Sequence, residues 1–225
     1  MQITEIFYSI QGESSHAGRP CVFVRLTGCN LRCRWCDTEY SFHGGRRQSV
    51  DEVLAAIRAF PCHLVEITGG EPMLQAPEVG ELSERLLKEN YGVLLETSGE
   101  RDLSRVPAGV VKVIDVKCPG SGEGGTFHMD NLGSLSPADE LKFVLTDRAD
   151  YEFARDFVRM NALEQRCGNL LFSPAFRKDA AGERSASQCQ LDPRLLAEWI
   201  LADGLSVRLA LQLHKFIWDP ALHAV

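Results

Sequence analysis

The chain has 225 residues, of which 44% are hydrophobic and 24% are charged, a composition typical of folded globular proteins. Its 24 basic and 31 acidic residues give a net charge of −7, which disfavours a general binding surface for nucleic acid or anionic membranes. No apolar run reaches the roughly 18 residues that a membrane span needs, and residues 1–5 lack the basic and apolar regions of a secretion signal. We therefore expect one cytoplasmic domain over residues 1–225, with no nucleic-acid or membrane partner.

Apolar, β-branched runs alternate along the chain with helical patterns. Strands are predicted at residues 21–27, 63–68, 92–97, 110–117, 140–145, 170–172 and 206–213. Helices are predicted after a capping box at residues 49–52, around residues 79–87, and at residues 148–161 and 192–200. This alternation predicts an α/β fold with a mainly parallel sheet and helices outside it. Because the strands are too few for a closed eight-fold barrel, we expect an open, partial (β/α) barrel of about six parallel strands.

Polar and glycine-containing segments follow most of these strands. They lie at residues 28–38, 69–72, 98–99, 117–119 and 173–174. Ligands of parallel α/β folds bind at the carboxyl ends of the strands, so these segments are expected to meet at one rim.

The eight cysteines are unevenly placed. Five are scattered singly, as is typical of small buried side chains in a reducing compartment; these are Cys21, Cys62, Cys118, Cys167 and Cys189. Cys29, Cys33 and Cys36 lie within eight residues and, being odd in number, cannot all pair as disulfides. A structural zinc site usually takes four protein ligands, whereas a 4Fe-4S cluster held by three cysteines leaves one iron free for a small molecule. The three close cysteines therefore favour a 4Fe-4S cluster, and a zinc site or redox-active thiols are the alternatives.

The CxxxCxxC spacing followed by Asp37-Thr38 resembles the cluster loop of the radical S-adenosylmethionine enzymes. Further segments resemble the 7-carboxy-7-deazaguanine synthase family of queuosine and 7-deazapurine biosynthesis, at residues 5–14, 25–31, 36–38, 68–72, 96–99, 115–117 and 211–215. The resemblance spans most of the chain and is weakest at residues 120–135. It implies a lyase that converts 6-carboxy-5,6,7,8-tetrahydropterin into 7-carboxy-7-deazaguanine with loss of ammonia, using a 4Fe-4S cluster, S-adenosylmethionine and Mg²⁺.

The resemblance also implies a role for each matching residue, with none assigned as a general acid or base. The cluster would be held by Cys29, Cys33 and Cys36, and Mg²⁺ by Thr38. S-adenosylmethionine would contact Trp35, Cys36, Asp37, Gly69, Gly70, Glu71, Ser98, Asp115, Val116, Lys117 and, on the adenine side, Ser173, Pro174, Ala175 and Phe176. The pterin would contact Ile10, Gln11, Gly12, Arg25, Thr68, Glu96 and His214. The planar guanidinium of Arg25 suits a substrate carboxylate, although a strand arginine can also pair with an acid across the sheet.

Other parts of the family pattern are less directly carried over. The resemblance implies a homodimer and an external electron donor such as flavodoxin or ferredoxin. In some members the terminal carboxylate closes the pocket soon after the last strand; here Trp218-Asp219-Pro220 is followed by residues 221–225, so that contact is not assigned to this chain. The Gly- and Ser-rich residues 119–137 are either a lid over the substrate or mobile surface.

Two other functions remain as alternatives. A glycyl-radical activase acting on a partner protein would share the short chain and the cysteine spacing, but residues 7–14 and Arg25 favour a small carboxylated substrate. A non-catalytic, zinc-stabilised binding module would be colourless and contain zinc in place of iron.

Overall fold

The computed structural model describes residues 1–178, 185–219 and 222–224, whose strands form one sheet flanked by helices. The strands are β1 (Gln2–Ile10), β2 (Pro20–Leu26), β3 (Arg46–Arg47), β4 (Leu64–Gly69), β5 (Gly92–Thr97), β6 (Val111–Asp115), β7 (Glu140–Leu145), β8 (Asn169–Pro174) and β9 (Arg208–Leu209). The α-helices are α1 (Val50–Arg58), α2 (Ala76–Lys88), α3 (Arg148–Met160), α4 (Pro193–Asp203) and α5 (His214–Ile217), with short 3₁₀ turns between elements. None of the described helices combines the length and apolarity of a membrane span.

The sheet is open and mainly parallel, as the alternation of strands and helices predicts. Its order is β3-β1-β2-β4-β5-β6-β7-β8-β9, and β2 and β4 to β9 run parallel. Within the described part of the chain, β3 and β9 each pair with one neighbour, so the sheet does not close. The prediction of an open, partial barrel is confirmed.

Two edges of the sheet differ from the prediction. The sequence pattern missed β1, which pairs antiparallel with β2 and β3, because a bulge between Ile3 and Glu5 interrupts its alternation. The predicted strand at residues 206–213 is wrong in extent, since only Arg208 and Leu209 pair with β8. Beyond them the chain turns inward, where the Leu213 N–H donates to the Gly12 carbonyl at 2.8 Å.

The two faces of the sheet have different chemistry because successive strand residues point to opposite sides. On β4, Val65 and Ile67 belong to the main apolar core, which packs against helices such as α1 and α2. Glu66 and Thr68 alternate with them and face the inside of the partial barrel. A smaller apolar cluster fills the amino-terminal half of this inner face; it consists of Phe7, Cys21, Phe23, Leu64 and Leu94. The carboxyl-terminal half is left polar.

Residues 119–137 are folded against the rest of the molecule and form neither a lid nor an unattached surface loop. They contain two 3₁₀ turns, Pro119–Ser121 and Met129–Ser134. The buried amide of Asn131 donates to the carbonyls of Gly99 and Arg101, each at 2.8 Å, and its Oδ1 accepts from the Leu103 N–H at 2.9 Å. These side-chain contacts with backbone groups replace regular secondary structure, which explains why no periodic pattern marks the segment.

Candidate active site

One cavity lies on the inner face, between the carboxyl ends of the parallel strands and residues 28–38, here called the cysteine loop. It brings together most of the predicted site residues: Ile10, Gln11, Gly12, Arg25, Cys29, Cys33, Trp35, Cys36, Asp37, Thr38, Thr68, Gly69, Gly70, Glu71, Glu96, Ser98, Asp115, Lys117 and His214. The remaining predicted contacts, Val116, Ser173, Pro174, Ala175 and Phe176, are outside its lining. Phe176 instead lines a neighbouring depression together with Trp35, Cys36 and Asp37.

The cysteine loop presents its three sulfurs to the cavity and is held mainly by its backbone. Cys29, Cys33 and Cys36 are each half-buried. The Arg34 N–H donates to the Ser121 carbonyl at 3.0 Å, and the Arg32 N–H donates to Glu123 Oε1 at 2.5 Å. Residues 119–137 therefore support the cysteine loop through these two hydrogen bonds.

The arrangement of these thiols fits a cluster better than a single ion. Among the described residues, no three His, Cys, Asp or Glu side chains converge closely enough to hold one metal ion. A tetrahedral zinc site requires such convergence. In a 4Fe-4S cube each thiolate binds a different iron, so three sulfurs spaced around one cavity are the appropriate donor set.

The two glycines at the end of β4 are required by close packing against the end of β2 and the cysteine loop. A Cβ atom on Gly70 would overlap the carbonyl oxygen of Gly28 and approach the Cys29 side chain. The same close approach allows the Glu71 N–H to donate to the Gly28 carbonyl at 2.8 Å. Gly69 adopts a φ of 134° beside the backbone of Leu26, where an L side chain would be strained.

Glu71 is predicted to bind the cofactor, but its carboxylate is already fully used within the protein. Oε1 accepts from the Met73 N–H at 3.0 Å and the Thr97 hydroxyl at 2.6 Å. Oε2 accepts from the Ser98 N–H at 2.8 Å and the Ser98 hydroxyl at 2.7 Å. With four hydrogen bonds made, Glu71 connects β4 to β5 and shapes the rim.

Asp115 and Lys117, at the end of β6, combine a satisfied ion pair with an unsatisfied oxygen. Lys117 Nζ lies 2.8 Å from Asp115 Oδ2, and although burial disfavours the ammonium, Asp115 raises the pKa of Lys117. Asp115 Oδ1 is buried without a hydrogen-bond partner among the described residues. Since buried carboxylate oxygens are normally hydrogen-bonded, this atom fits a hydroxyl donor from a bound ligand such as a ribose.

Arg25 pairs with an acid across the sheet and also lines the cavity. Its Nε–H donates to Glu5 Oε1 at 2.7 Å, and the Tyr40 hydroxyl donates to the same oxygen at 2.8 Å. Its guanidinium lies 5.7 Å from the centre of the Phe7 ring. Within the described residues, the two Nη groups have no hydrogen-bond partner, so they can donate two parallel hydrogen bonds to a carboxylate.

The side chains beside Thr38 balance charge at the cavity mouth. Thr38 Oγ1 lies 3.7 Å from Cys36 Sγ. Asp37 Oδ2 lies 2.6 Å from the buried ammonium of Lys215. Burial would raise the pKa of Asp37, but Lys215 holds it well below its usual range, so the carboxylate stays ionised.

Three further polar side chains lie deeper in the cavity beside the predicted Gln11 and Glu96, and sequence reasoning missed them: Glu13, Glu66 and Lys142. Lys142 Nζ lies 2.5 Å from Glu13 Oε2 and 2.6 Å from Glu96 Oε1. Gln11 donates its amide N–H to Glu66 Oε2 and accepts the Glu13 N–H at 2.8 Å. We call these five residues, Gln11, Glu13, Glu66, Glu96 and Lys142, the polar floor. The sequence does carry a signal for them: Glu66 on β4 and Lys142 on β7 are charged residues at alternating positions of otherwise apolar strands.

Electrostatics in the polar floor follow from burial and pairing. Burial disfavours the charged form of Lys142, but Glu13 and Glu96 raise its pKa well above the usual value. Burial would likewise raise the pKa of Glu13, yet Lys142, His214 and Gln212 lower it to about 2. Both groups are therefore ionised at neutral pH.

His214, directly after the predicted strand at residues 206–213, begins α5 and packs against Gly12. A Cβ at Gly12 would overlap His214 Nδ1, so only glycine allows this contact. Burial lowers the pKa of His214, against the opposing effects of Glu13 and Asp37, which favours the neutral imidazole.

Comparison with known proteins agrees with this geometry. The sequence model of the Radical SAM superfamily matches residues 23–113. The chain is 60% identical over 226 residues to the 7-carboxy-7-deazaguanine synthase of Koribacter versatilis, with 100% of both chains covered. The chain belongs to the 7-carboxy-7-deazaguanine synthase family. It is also 43% identical to the synthase of Chlorobaculum tepidum, with 100% of this chain and 97% of the relative covered.

Solved structures share the fold of this family member. The crystal structure of QueE from Escherichia coli superposes with a TM-score of 0.73 at 23% identity, covering 95% of this chain and 94% of that chain. SuiB from Streptococcus suis, bound to S-adenosylmethionine, gives a TM-score of 0.55 at 11% identity and covers 84% of this chain and 48% of that chain. As a radical SAM enzyme, this member of the synthase family uses a 4Fe-4S cluster and S-adenosylmethionine.

Proposed function

We propose that the protein converts 6-carboxy-5,6,7,8-tetrahydropterin into 7-carboxy-7-deazaguanine, with contraction of the pterin ring and loss of ammonia. The observation that carries this proposal is the meeting of three features in one cavity: the cysteine loop, the unpaired Nη groups of Arg25 and the polar floor. Together they provide a cluster site, a carboxylate site and groups complementary to the amide edge of a pterin.

Residues at the rim have the properties needed to hold the cofactors. Cys29, Cys33 and Cys36 would bind the cluster, and when bound, the cluster and S-adenosylmethionine supply the organic radical that removes a hydrogen atom from the substrate. The unsatisfied Asp115 Oδ1 would accept a ribose hydroxyl. Lys117, kept protonated by Asp115, would interact with the methionine carboxylate. The Glu71 carboxylate already accepts four hydrogen bonds from within the protein. The backbone carbonyls of Gly69 and Gly70 would therefore accept hydrogen bonds from the amino group of S-adenosylmethionine.

Residues on the inner face would orient the pterin. Arg25 would bind its carboxylate through the two Nη groups, with Glu5 and Tyr40 fixing the guanidinium. Thr68 donates its hydroxyl to Glu96 Oε2 at 3.1 Å, so the Glu96 carboxylate is fixed to accept ring N–H groups. The neutral imidazole of His214, which packs against Gly12, would lie against the pterin ring system.

Thr38 would be the protein ligand of a magnesium ion. It lies at the cavity mouth next to Cys36 and provides one neutral oxygen. Mg²⁺ retains much of its water and takes few protein ligands, so a single hydroxyl together with the substrate carboxylate is a sufficient set.

Three wider features belong to this proposal. We propose a cytoplasmic location, supported by the need to keep the cluster thiols reduced. An external one-electron donor such as flavodoxin or ferredoxin would reduce the cluster. A homodimer is supported by exposed leucines on α4 and β9, at the open edge of the sheet; these are Leu195, Leu201 and Leu209.

The test is incubation of anaerobically reconstituted protein with S-adenosylmethionine, a reductant, Mg²⁺ and the carboxytetrahydropterin alone. We expect 7-carboxy-7-deazaguanine and ammonia in equal amounts, with about four irons per chain in the protein. Absence of product with an intact cluster would favour the glycyl-radical activase, which needs a protein substrate. Colourless protein containing zinc would favour the binding module.

A further inference from the structure

The polar floor is a network of hydrogen bonds built from four elements of the chain. From Glu66, the network passes through the Gln11 side chain and the Glu13 backbone to the Glu13 carboxylate and Lys142. Lys142 continues it to Glu96. Because β5 pairs with β4, the Glu96 and Glu66 side chains face the cavity from neighbouring strands. Each member faces the same cavity, so a change in one is transmitted to its neighbours.

If every carboxyl group of this network were ionised, its negative charges would outnumber its positive charges. Lys142 forms its ion pairs with Glu13, Glu96 and Asp115, the last at 3.7 Å. No ion pair involves Glu66 anywhere in the described parts of the chain, although Glu66 is only 3% exposed. An isolated buried carboxylate is strongly unfavourable, and two facing carboxyl groups can be accommodated if they share one proton.

We propose that Glu66 is a positioning residue for the pterin that works as a neutral carboxylic acid, holding Gln11 on one side and Glu96 on the other. This inference rests on the proposed function. As an acid, Glu66 accepts the Gln11 N–H and donates its own proton toward Glu96. The Glu96 carboxylate, fixed also by Lys142 and Thr68, is then aligned to accept N–H groups from the ring. The structure thus assigns the positioning of these recognition groups to a residue of β4 that lies outside every recognised motif.

The surroundings of Glu66 agree with a neutral acid. The groups that face it are Glu13 from the loop after β1, Glu96 from β5, Lys142 from β7 and the Cys21 thiol from β2. Burial, then Glu96 and Glu13, raise the pKa of Glu66 well above its usual value, and Lys142 opposes them. Burial also raises the pKa of Cys21, so this thiol adds no charge. Glu66 is protonated below its raised pKa and becomes a further negative charge, without an ion pair among the described residues, above it.

The experiment measures pterin binding to the holoenzyme with S-adenosylmethionine but without an electron donor, so that no turnover occurs. Glu66→Gln preserves a neutral side chain of the same size and should keep the Kd within about twofold at pH 7. Glu66→Ala removes the acceptor of the Gln11 amide N–H and the proton donated toward Glu96, and should raise the Kd about tenfold. In the wild type the Kd should rise at alkaline pH, and this rise should be absent in Glu66→Gln. Glu89→Gln, at a surface ion pair with Arg58, is the control and should behave as the wild type does.

An infrared measurement tests the protonation directly and independently of substrate. The carbonyl stretch of a protonated carboxylic acid should be present at neutral pH in the wild type and in Glu89→Gln, and should be lost in Glu66→Gln. An unchanged Kd in Glu66→Ala, or the same alkaline rise in Glu66→Gln, would overturn the inference while leaving the proposed function intact. Failure of the wild type to convert the pterin, with the infrared band present, would instead overturn the proposed function.

Discussion

The cysteine loop and the polar floor face each other across one cavity, but they are held in different ways. The loop is fixed largely by backbone contacts, such as Arg34 to Ser121 and Gly70 to Gly28. The floor is fixed by charged and amide side chains that come from β4, β5, β7 and the loop after β1. Backbone contacts keep the cluster site in place regardless of charge, whereas the floor depends on which of its groups are ionised. Variants in each region test this contrast.

Loss of a cluster thiol should have the largest effect. Cys33→Ala removes one of three ligands, so we expect loss of the cluster and of all activity, measured as iron per chain and product formed. Cys62→Ala, half-buried and outside the cavity lining, is the matched control and should retain its iron. Full iron content in Cys33→Ala would contradict the ligand assignment.

A methyl group added at the backbone contact beneath the cysteine loop should have the second-largest effect. Gly70→Ala places a methyl group against the Gly28 carbonyl, and we expect a loss of about 1–3 kcal/mol in the free energy of unfolding together with reduced iron binding. Gly80→Ala is a fitting control because it lies on α2 with open space around it and should stabilise the protein by up to about 1 kcal/mol. Equal stability of the two variants would show that the loop does not depend on this contact.

Replacing the guanidinium of Arg25, which lines the cavity, should change the affinity for the substrate without changing cluster binding. Arg25→Lys keeps the charge but loses the fork, so we expect the KM for the pterin to rise roughly ten- to a hundredfold with iron content unchanged. Steady-state kinetics and iron analysis measure the two effects. Arg58→Lys, at an exposed pair with Glu89, should leave both quantities unaltered. A KM unaffected by Arg25→Lys would remove Arg25 from the carboxylate site.

The smallest effect concerns stability and pH. The pKa of Glu13 is about 2 in the folded protein and near 4.5 when unfolded, because Lys142 and its neighbours outweigh the effect of burial. The stabilisation from its carboxylate is therefore complete above pH 4.5 and is lost as the pH falls toward 2. Glu13→Gln should lower the free energy of unfolding more at pH 7 than at pH 3, as measured by denaturant titration. An equal difference at both values would show that the Glu13–Lys142 pair does not stabilise the fold.

The same contrast explains how much the sequence could predict. The spacing of its thiols located the cysteine loop, and the parallel strands followed from apolar periodicity. The Gly69-Gly70 turn and Asp115 to Lys117 are short contiguous segments, so the family resemblance could locate them. The floor is assembled from residues distant in sequence, and Glu66 and Lys142 read as isolated charges until the strands are paired. Strand β1 and residues 119–137 escaped for another reason, since a bulge and side-chain contacts to the backbone leave no periodic signal.

Asp115 links the rim beside the cysteine loop to the polar floor, because its Oδ2 lies 2.8 Å from Lys117 at the rim and 3.7 Å from Lys142 in the floor. Substitutions confined to one region should combine additively with substitutions in the other, since their partners are distinct. A change at Asp115 alters the counter-ions of both at once. Any double-mutant cycle that includes this residue should therefore show epistasis, and a loss of activity in such a variant cannot be attributed to one region alone.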